Sequence, residues 1–185
     1  MKNKRGFTFI EVLLVLALLM VISGFSMIII GPALKARNVE MAVRTVSLQM
    51  SRARQFSVDA RRLTRVTFTA PSTITVHQQA PVAEGGAWTQ VSEAELPGEM
   101  EFNIDAGISS GPEDFTTSQA INFSGLSQVF FMPDGSAITG IGQISNGVAY
   151  VSWPQEVDTT RAVTLFGGTG RIKRWKYVYE SGSWE

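Results

Sequence analysis

Glu11 directly precedes the run VLLVLALLMVISGFSMIII at 12–30, and Phe7, Phe9 and Ile10 lead into it. A carboxylate inside a membrane helix costs about 2.5–3.5 kcal/mol on insertion scales, so it needs a partner there. Two local answers are open: Lys4 on the same helix face, or snorkelling of Glu11 to the lipid surface from the end of the run. A second candidate is the string in which Arg171, Lys173, Arg174 and Lys176 interleave with Trp175 and Tyr177. Cations engage phosphates and aromatic faces stack on exposed bases, the combination that holds single-stranded nucleic acid without sequence preference. The plainer reading of the same string is a basic edge strand facing acidic loops or a neighbouring molecule.

Other chemistry is poorly supplied. The chain has no cysteine and one histidine, His77. Disulfides, thiolate-ligated metals and thiol catalysis are excluded, and no second imidazole supports a metal cluster or a histidine relay. Gly167-Gly-Thr-Gly170 lacks the Lys and the following helix of a phosphate loop. No G-x-S-x-G elbow is present. The carboxylates of 84–114 lack the D-x-D-x-D-G spacing of a calcium loop. Neither enzymatic activity nor a bound cofactor is expected.

The apolar segment that must position Glu11 is about 24 residues, or about 36 Å as helix, against a hydrocarbon core of about 30 Å. It is long enough to span. The basic leader (Lys2, Lys4, Arg5) keeps the N-terminus cytoplasmic by the positive-inside rule and puts the residues after Ile30 across the membrane. A cleavable secretory signal fits poorly, since Ile29-Ile-Gly-Pro-Ala-Leu-Lys35 lacks an A-x-A-like site. Gly31-Pro32 marks either a kink or local melting, or else the end of the membrane helix, with helix-forming sequence resuming at once. Beyond it Val39, Val43, Val46, Met50, Ala53, Phe56 and Ala60 recur at helical spacing and predict one apolar face that packs on a sheet. Arg52, Arg54, Arg61 and Arg62 read as a solvated helix face.

After Leu63 the period becomes two. Residues 65–70 and 73–78 predict a hairpin about Pro71-Ser72, and 100–104, 120–123, 128–132, 148–153, 162–166 and 172–179 predict further strands. Pro133-Asp-Gly-Ser136 and Gly167–Gly170 supply turns, and 80–99 and 105–118 read as loops. The expected class is α+β: a long N-terminal helix continuing into, and packed against, an antiparallel β-sheet head. The expected segments are 7–30 (spanning helix), 31–63 (amphipathic continuation) and 64–185 (β-rich head). Charge is sorted along it although 16 basic residues balance 16 acidic ones. Residues 35–65 carry a net +6, residues 84–114 eight carboxylates and no base, and residues 161–176 a net +5. Such blocks govern contacts and steering.

The string Arg5-Gly6-Phe7-Thr8-Phe9-Ile10-Glu11 and its apolar run resemble the type III signal of prepilins and pseudopilins of type IV pilus and type II secretion machines. Phe9 stands where Leu is commonest. The resemblance implies that residues 1–6 are a leader, that a membrane prepilin peptidase cuts between Gly6 and Phe7 and N-methylates Phe7, and that the anchor survives. The new Phe7 amine, with an ordinary pKa of about 8, is largely cationic, so Glu11 of one subunit would pair with the amine of its neighbour. Val129-Phe-Phe-Met-Pro-Asp-Gly-Ser136, Val163-Thr-Leu-Phe166 and Gly170-Arg-Ile-Lys-Arg174 resemble the GspH/FimT branch, the minor pilins and minor pseudopilins. This implies a structural subunit that primes or caps a filament, whose partners are other pilins, the peptidase and the inner membrane, with a periplasmic head. A major pilin is the alternative within the class. Some members of the branch bind DNA through a Gly-Arg-x-Arg tail, which makes Arg171, Lys173, Arg174, Trp175 and Lys176 candidate DNA or partner contacts. Here Lys173 replaces the second Arg and loses its bidentate fork.

Overall fold

The computed structural model of the chain describes residues 8–108, 110–115 and 118–185, with the side chains of 25–29 and 82 outside the description. It divides into two compact units, residues 1–37 and 38–185. One helix, α1 (Phe9–Ala60), begins in the first unit and ends in the second.

In the first unit α1 continues without a break past Gly31, with Pro32 inside it. The local melting considered at Gly31-Pro32 is therefore corrected. Proline removes one backbone bond, but Ala33-Leu-Lys-Ala-Arg37 consists of strong helix formers and carries the helix on. The large apolar side chains described between Phe9 and Ile22 are 46–79% exposed. Ser23 donates its hydroxyl to the Leu19 carbonyl at 2.8 Å, so it hides its polarity within the helix. Among the described residues no helix is long and apolar enough to cross a membrane. The run at 12–30 is described only in part, because the side chains of 25–29 fall within it.

The second unit wraps two antiparallel sheets around the end of α1. Strands β1 (Thr64–Thr69), β2 (Thr73–Gln79), β3 (Trp88–Glu95), β5 (Gln128–Phe131) and β6 (Ala137–Ile138) form one sheet in the order β3-β2-β1-β5-β6. Strands β4 (Ile121–Phe123), β7 (Gly147–Trp153), β8 (Glu156–Phe166), β9 (Arg171–Val178) and β10 (Ser183–Trp184) form the other, in the order β10-β9-β8-β7-β4. The predicted β1–β2 hairpin is present in register, Val66 opposite Val76 and Phe68 opposite Ile74.

Three local expectations are corrected. Residues 100–104 make only one isolated bridge, Glu101 to Ser152, because the Phe102 N–H turns instead to the Pro71 carbonyl at 2.7 Å. The loop expected at 80–99 contains β3, an eight-residue strand. The apolar helix face runs through Val39, Ala42, Val43, Val46, Met50 and Ala53 and closes on buried Ser57, leaving Phe56 and Ala60 exposed. Ser57 satisfies its hydroxyl on the Met132 carbonyl at 2.9 Å, which makes a polar residue acceptable there. The core meets this face with Val66, Phe68, Ile74, Val76, Val129 and Phe131 from one sheet and Phe123, Ala149, Val151, Val163 and Leu165 from the other. Burial of each Val, Leu, Ile or Phe side chain among them contributes about 1.5–3 kcal/mol.

Candidate functional site: the helix N-terminus and the basic strand

At the start of α1, the Thr8 backbone N–H donates to Glu11 Oε2 at 3.4 Å. Thr8 and Glu11 thus occupy the first and last places of a Thr-x-x-Glu capping box, a local role not anticipated from the sequence although the spacing carried it. The bond is long, so the carboxylate is held loosely by its own helix. Gly6 and Phe7, the expected cleavage and methylation positions, lie outside the described residues.

The basic strand β9 is divided by its pleat. Val163 faces Arg174, Leu165 faces Ile172 and Arg161 faces Lys176 on the side that packs towards α1. Ala162 faces Trp175, Thr164 faces Lys173 and Phe166 faces Arg171 on the outer side. The five candidate residues therefore form two surfaces rather than one. On the outer side, residues 110–115 lie against the strand. Glu113 accepts from Thr164 Oγ1 and from Arg171 Nη2, both at 2.8 Å, and lies 3.9 Å from Lys173 Nζ. Trp175 Nε1 donates to Thr164 Oγ1 at 3.0 Å, which chains the indole to the same carboxylate. Lys173 Nζ stands 3.4 Å from the Trp175 ring centroid, so a cation already covers one face of that ring. Beneath this segment a small cluster of Val148, Tyr150 and Ala162 is sealed by Ile104, Phe115, Trp175 and Trp184. The Tyr150 hydroxyl donates to the Phe115 carbonyl at 3.0 Å, and burial pushes its pKa up to about 12. Glu113 was not singled out by sequence; its left-handed backbone (φ 53°) gave no local signal.

On the α1 side, Arg174 Nη1 lies 3.8 Å from Glu40 Oε1. Arg54, expected on a solvated helix face, is exposed and also bonded to the head: its Nε donates to the Gly135 carbonyl at 3.0 Å and its Nη2 to the Thr169 carbonyl at 3.1 Å. The two turns singled out in the sequence, 133–136 and 167–170, meet at this guanidinium. Gly135 (φ +83°) and Gly170 (φ +61°) adopt left-handed backbone that other residues resist. Asp134 accepts from the Ser136 hydroxyl and N–H, which lowers its carboxyl below the ordinary value and fixes the first turn.

His77 lies on the outer face of the first sheet, opposite Arg65 on β1 and Gln90 on β3. Arg65 Cζ is 4.9 Å from the Trp88 ring centroid, and Trp88 reaches Phe130 across β2 and β1 with ring centroids 5.8 Å apart. Burial, then the Arg65 charge, lowers the imidazole pKa below its ordinary value. The unfolded chain therefore takes up a proton first as pH falls. The stabilisation from neutral His77 is complete above about pH 6.5 and is lost as pH falls from there through the lower folded pKa. We expect the melting temperature to decline from about pH 6.5 downward, ahead of carboxylate protonation, and this early decline to disappear in His77→Gln. Among the described residues no group of His, Asp and Glu side chains could hold a metal ion.

Residues 1–28 match the prokaryotic N-terminal methylation motif. No curated protein sequence matches the chain. Among solved structures, the type IV minor pilin FimU of Pseudomonas aeruginosa superimposes with a TM-score of 0.51 at 11% identity, over 78% of this chain and 91% of that one. The minor pseudopilin EpsH from the Type 2 Secretion System of Vibrio cholerae superimposes with a TM-score of 0.50 at 12% identity, over 75% of this chain and 97% of that one. At such identity the likeness is one of fold. The chain joins an N-terminal methylation motif to a long helix and a two-sheet head with the fold of a minor pilin and a minor pseudopilin.

Proposed function

We propose that the chain is a minor pilin or minor pseudopilin, a structural subunit that primes or caps a type IV pilus or a type II secretion pseudopilus. In this reading prepilin peptidase cuts between Gly6 and Phe7 and methylates Phe7. Residues 7–30 then anchor the protein in the inner membrane as a single pass, with the head in the periplasm. The observation that carries the reading is the methylation motif set on a helix whose described apolar side chains are uncovered. A surface of that kind does not persist in water; it requires lipid or the same helix of other subunits. The motif supplies a means of exchanging one for the other. Glu11, held at 3.4 Å by its own Thr8 N–H, gains a full charge partner when it meets the Phe7 amine of a neighbour. The head contributes shape and contacts, and the reading assigns it no catalysis.

A DNA-binding role for Arg171, Lys173, Arg174, Trp175 and Lys176 draws less support, because Glu113 engages Arg171 and Lys173 and the pleat separates those two from Arg174 and Lys176. The functional reading is tested by fractionation of a strain producing an epitope-tagged chain. The tagged protein should appear in sheared filaments, or in pseudopili where the secretion system is overproduced, at a few copies per fibre. Retention of all of it in the membrane fraction would overturn the proposal.

A further inference from the structure

The two open edges of the head carry opposite charge and flank α1 on opposite sides. Among the described residues β3 pairs only with β2, so its other edge is free. The C-terminal residues pair with β9 from Lys176 to Val178, so among the described residues its edge from Arg171 to Trp175 is free as well. β3 is tied to the helix at Gln49, whose Oε1 accepts from Ser92 at 3.0 Å. The β9 side is marked by Arg54, which lines a 580 Å³ hollow with Ser51, Gly170, Arg171 and Ile172. Gln49 and Arg54 are five positions apart, about 140° around a helix, which sets the two edges on different flanks.

Along the β9 flank a second hollow of 240 Å³ continues the groove between α1 and the strand, lined by Glu40, Val43, Arg161, Arg174 and Lys176, with Glu185 at its end. The two hollows together carry Arg54, Arg161, Arg174 and Lys176 against Glu40 and Glu185, so the groove stays net positive, while Arg171 is turned outward to Glu113. The β3 flank is its complement. Residues 84–101 hold Glu84, Glu93, Glu95, Glu99 and Glu101 and no base. Among the described residues none of these carboxylates has a cation within salt-bridge distance. Glu93 and Glu95 are exposed on the strand itself. Open strand edges are templates for pairing, and opposite potentials steer complementary edges together.

We propose that the acidic β3 edge of one copy docks into the basic groove between α1 and β9 of a second copy. The contact uses different surfaces on the two molecules, so it repeats in one direction rather than closing into a symmetric pair. Two copies are enough to form it. It depends on the head alone and stands or falls apart from N-terminal processing.

The absence of cysteine makes the test direct. Full-length Glu93→Cys and Arg174→Cys chains are purified separately in detergent, then oxidised alone and mixed. Disulfide-linked dimer should form in the mixture and in neither protein alone, and it should fall several-fold between about 0.05 M and about 0.5 M salt. Arg174 is exposed, so charge reversal there leaves folding intact. On the Arg174→Cys chain Lys176→Glu, or Arg174→Glu with the cysteine moved to Lys176, should lower the mixed dimer about fivefold, and Glu95→Arg on the Glu93→Cys chain should restore it. Equal dimer in either single variant alone, insensitivity to salt, or indifference to charge reversal would each overturn the proposal.

Discussion

Glu11→Ala chains are expected to be produced and processed normally and yet to fall in the sheared-filament fraction by about tenfold or more relative to the membrane fraction. An unpaired carboxylate at the lipid surface costs up to about 2.5–3.5 kcal/mol, and about 1.4 kcal/mol of that relieved on assembly is already a factor of ten. The competing account is local: Glu11 caps its own helix through the Thr8 N–H. Glu11→Gln separates the two. A glutamine oxygen still accepts from Thr8, as capping boxes allow, but it carries no charge for a neighbour's amine. If Gln restores filament entry while Ala does not, Glu11 is a cap and the pairing account fails. If both are excluded, the charge is what assembly reads.

Gly170→Ala is expected to destabilise the head by about 3 kcal/mol or more, lowering the melting temperature by about 6–12 °C for a domain of this size. Two costs add. At φ +61° any Cβ is strained by about 1 kcal/mol, and here the added methyl would also meet the Gly135 carbonyl oxygen and the Arg54 side chain. Neither neighbour has room to retreat, because Arg54 Nε donates to that same carbonyl at 3.0 Å. Gly168→Ala in the same turn is the control. Nothing lies within 4 Å of its Cβ direction and no positive φ is required, so it should change the melting temperature little.

The contrast between Gly170 and Gly168 shows what the sequence could reveal. Turn residues, the first hairpin and the apolar stripe from Val39 to Ala53 were legible because each rests on a local period or a local backbone demand. That the turns at 133–136 and 167–170 meet was not legible, since Arg54 joins them across sequence separations of 81 and 115 residues. As a helix arginine amid other arginines, Arg54 offered nothing to distinguish it from Arg52. β3 escaped for a different reason: Trp88-Thr-Gln-Val-Ser-Glu-Ala-Glu95 is mostly exposed, and a register shift at Val76/His77 breaks its alternation. Ser57 replaced Phe56 in the buried face because a hydroxyl with a carbonyl to bond is tolerated where the helix turns inward. Glu113 could be found only through its partners, Thr164 and Arg171, more than fifty residues away. At the N-terminus the position was reversed: the signal was entirely local, and Glu11 stood out because a charge is out of place beside such a run.

The intact mass of the mature protein, extracted from the membrane of its own host, tests the central claim most directly. The account predicts a chain that begins at Phe7, lacks residues 1–6 and carries one added methyl group on its α-amine. A species that keeps its leader, or one that starts beyond Ile30 without the apolar segment, would leave Glu11 no amine to pair with and would contradict it.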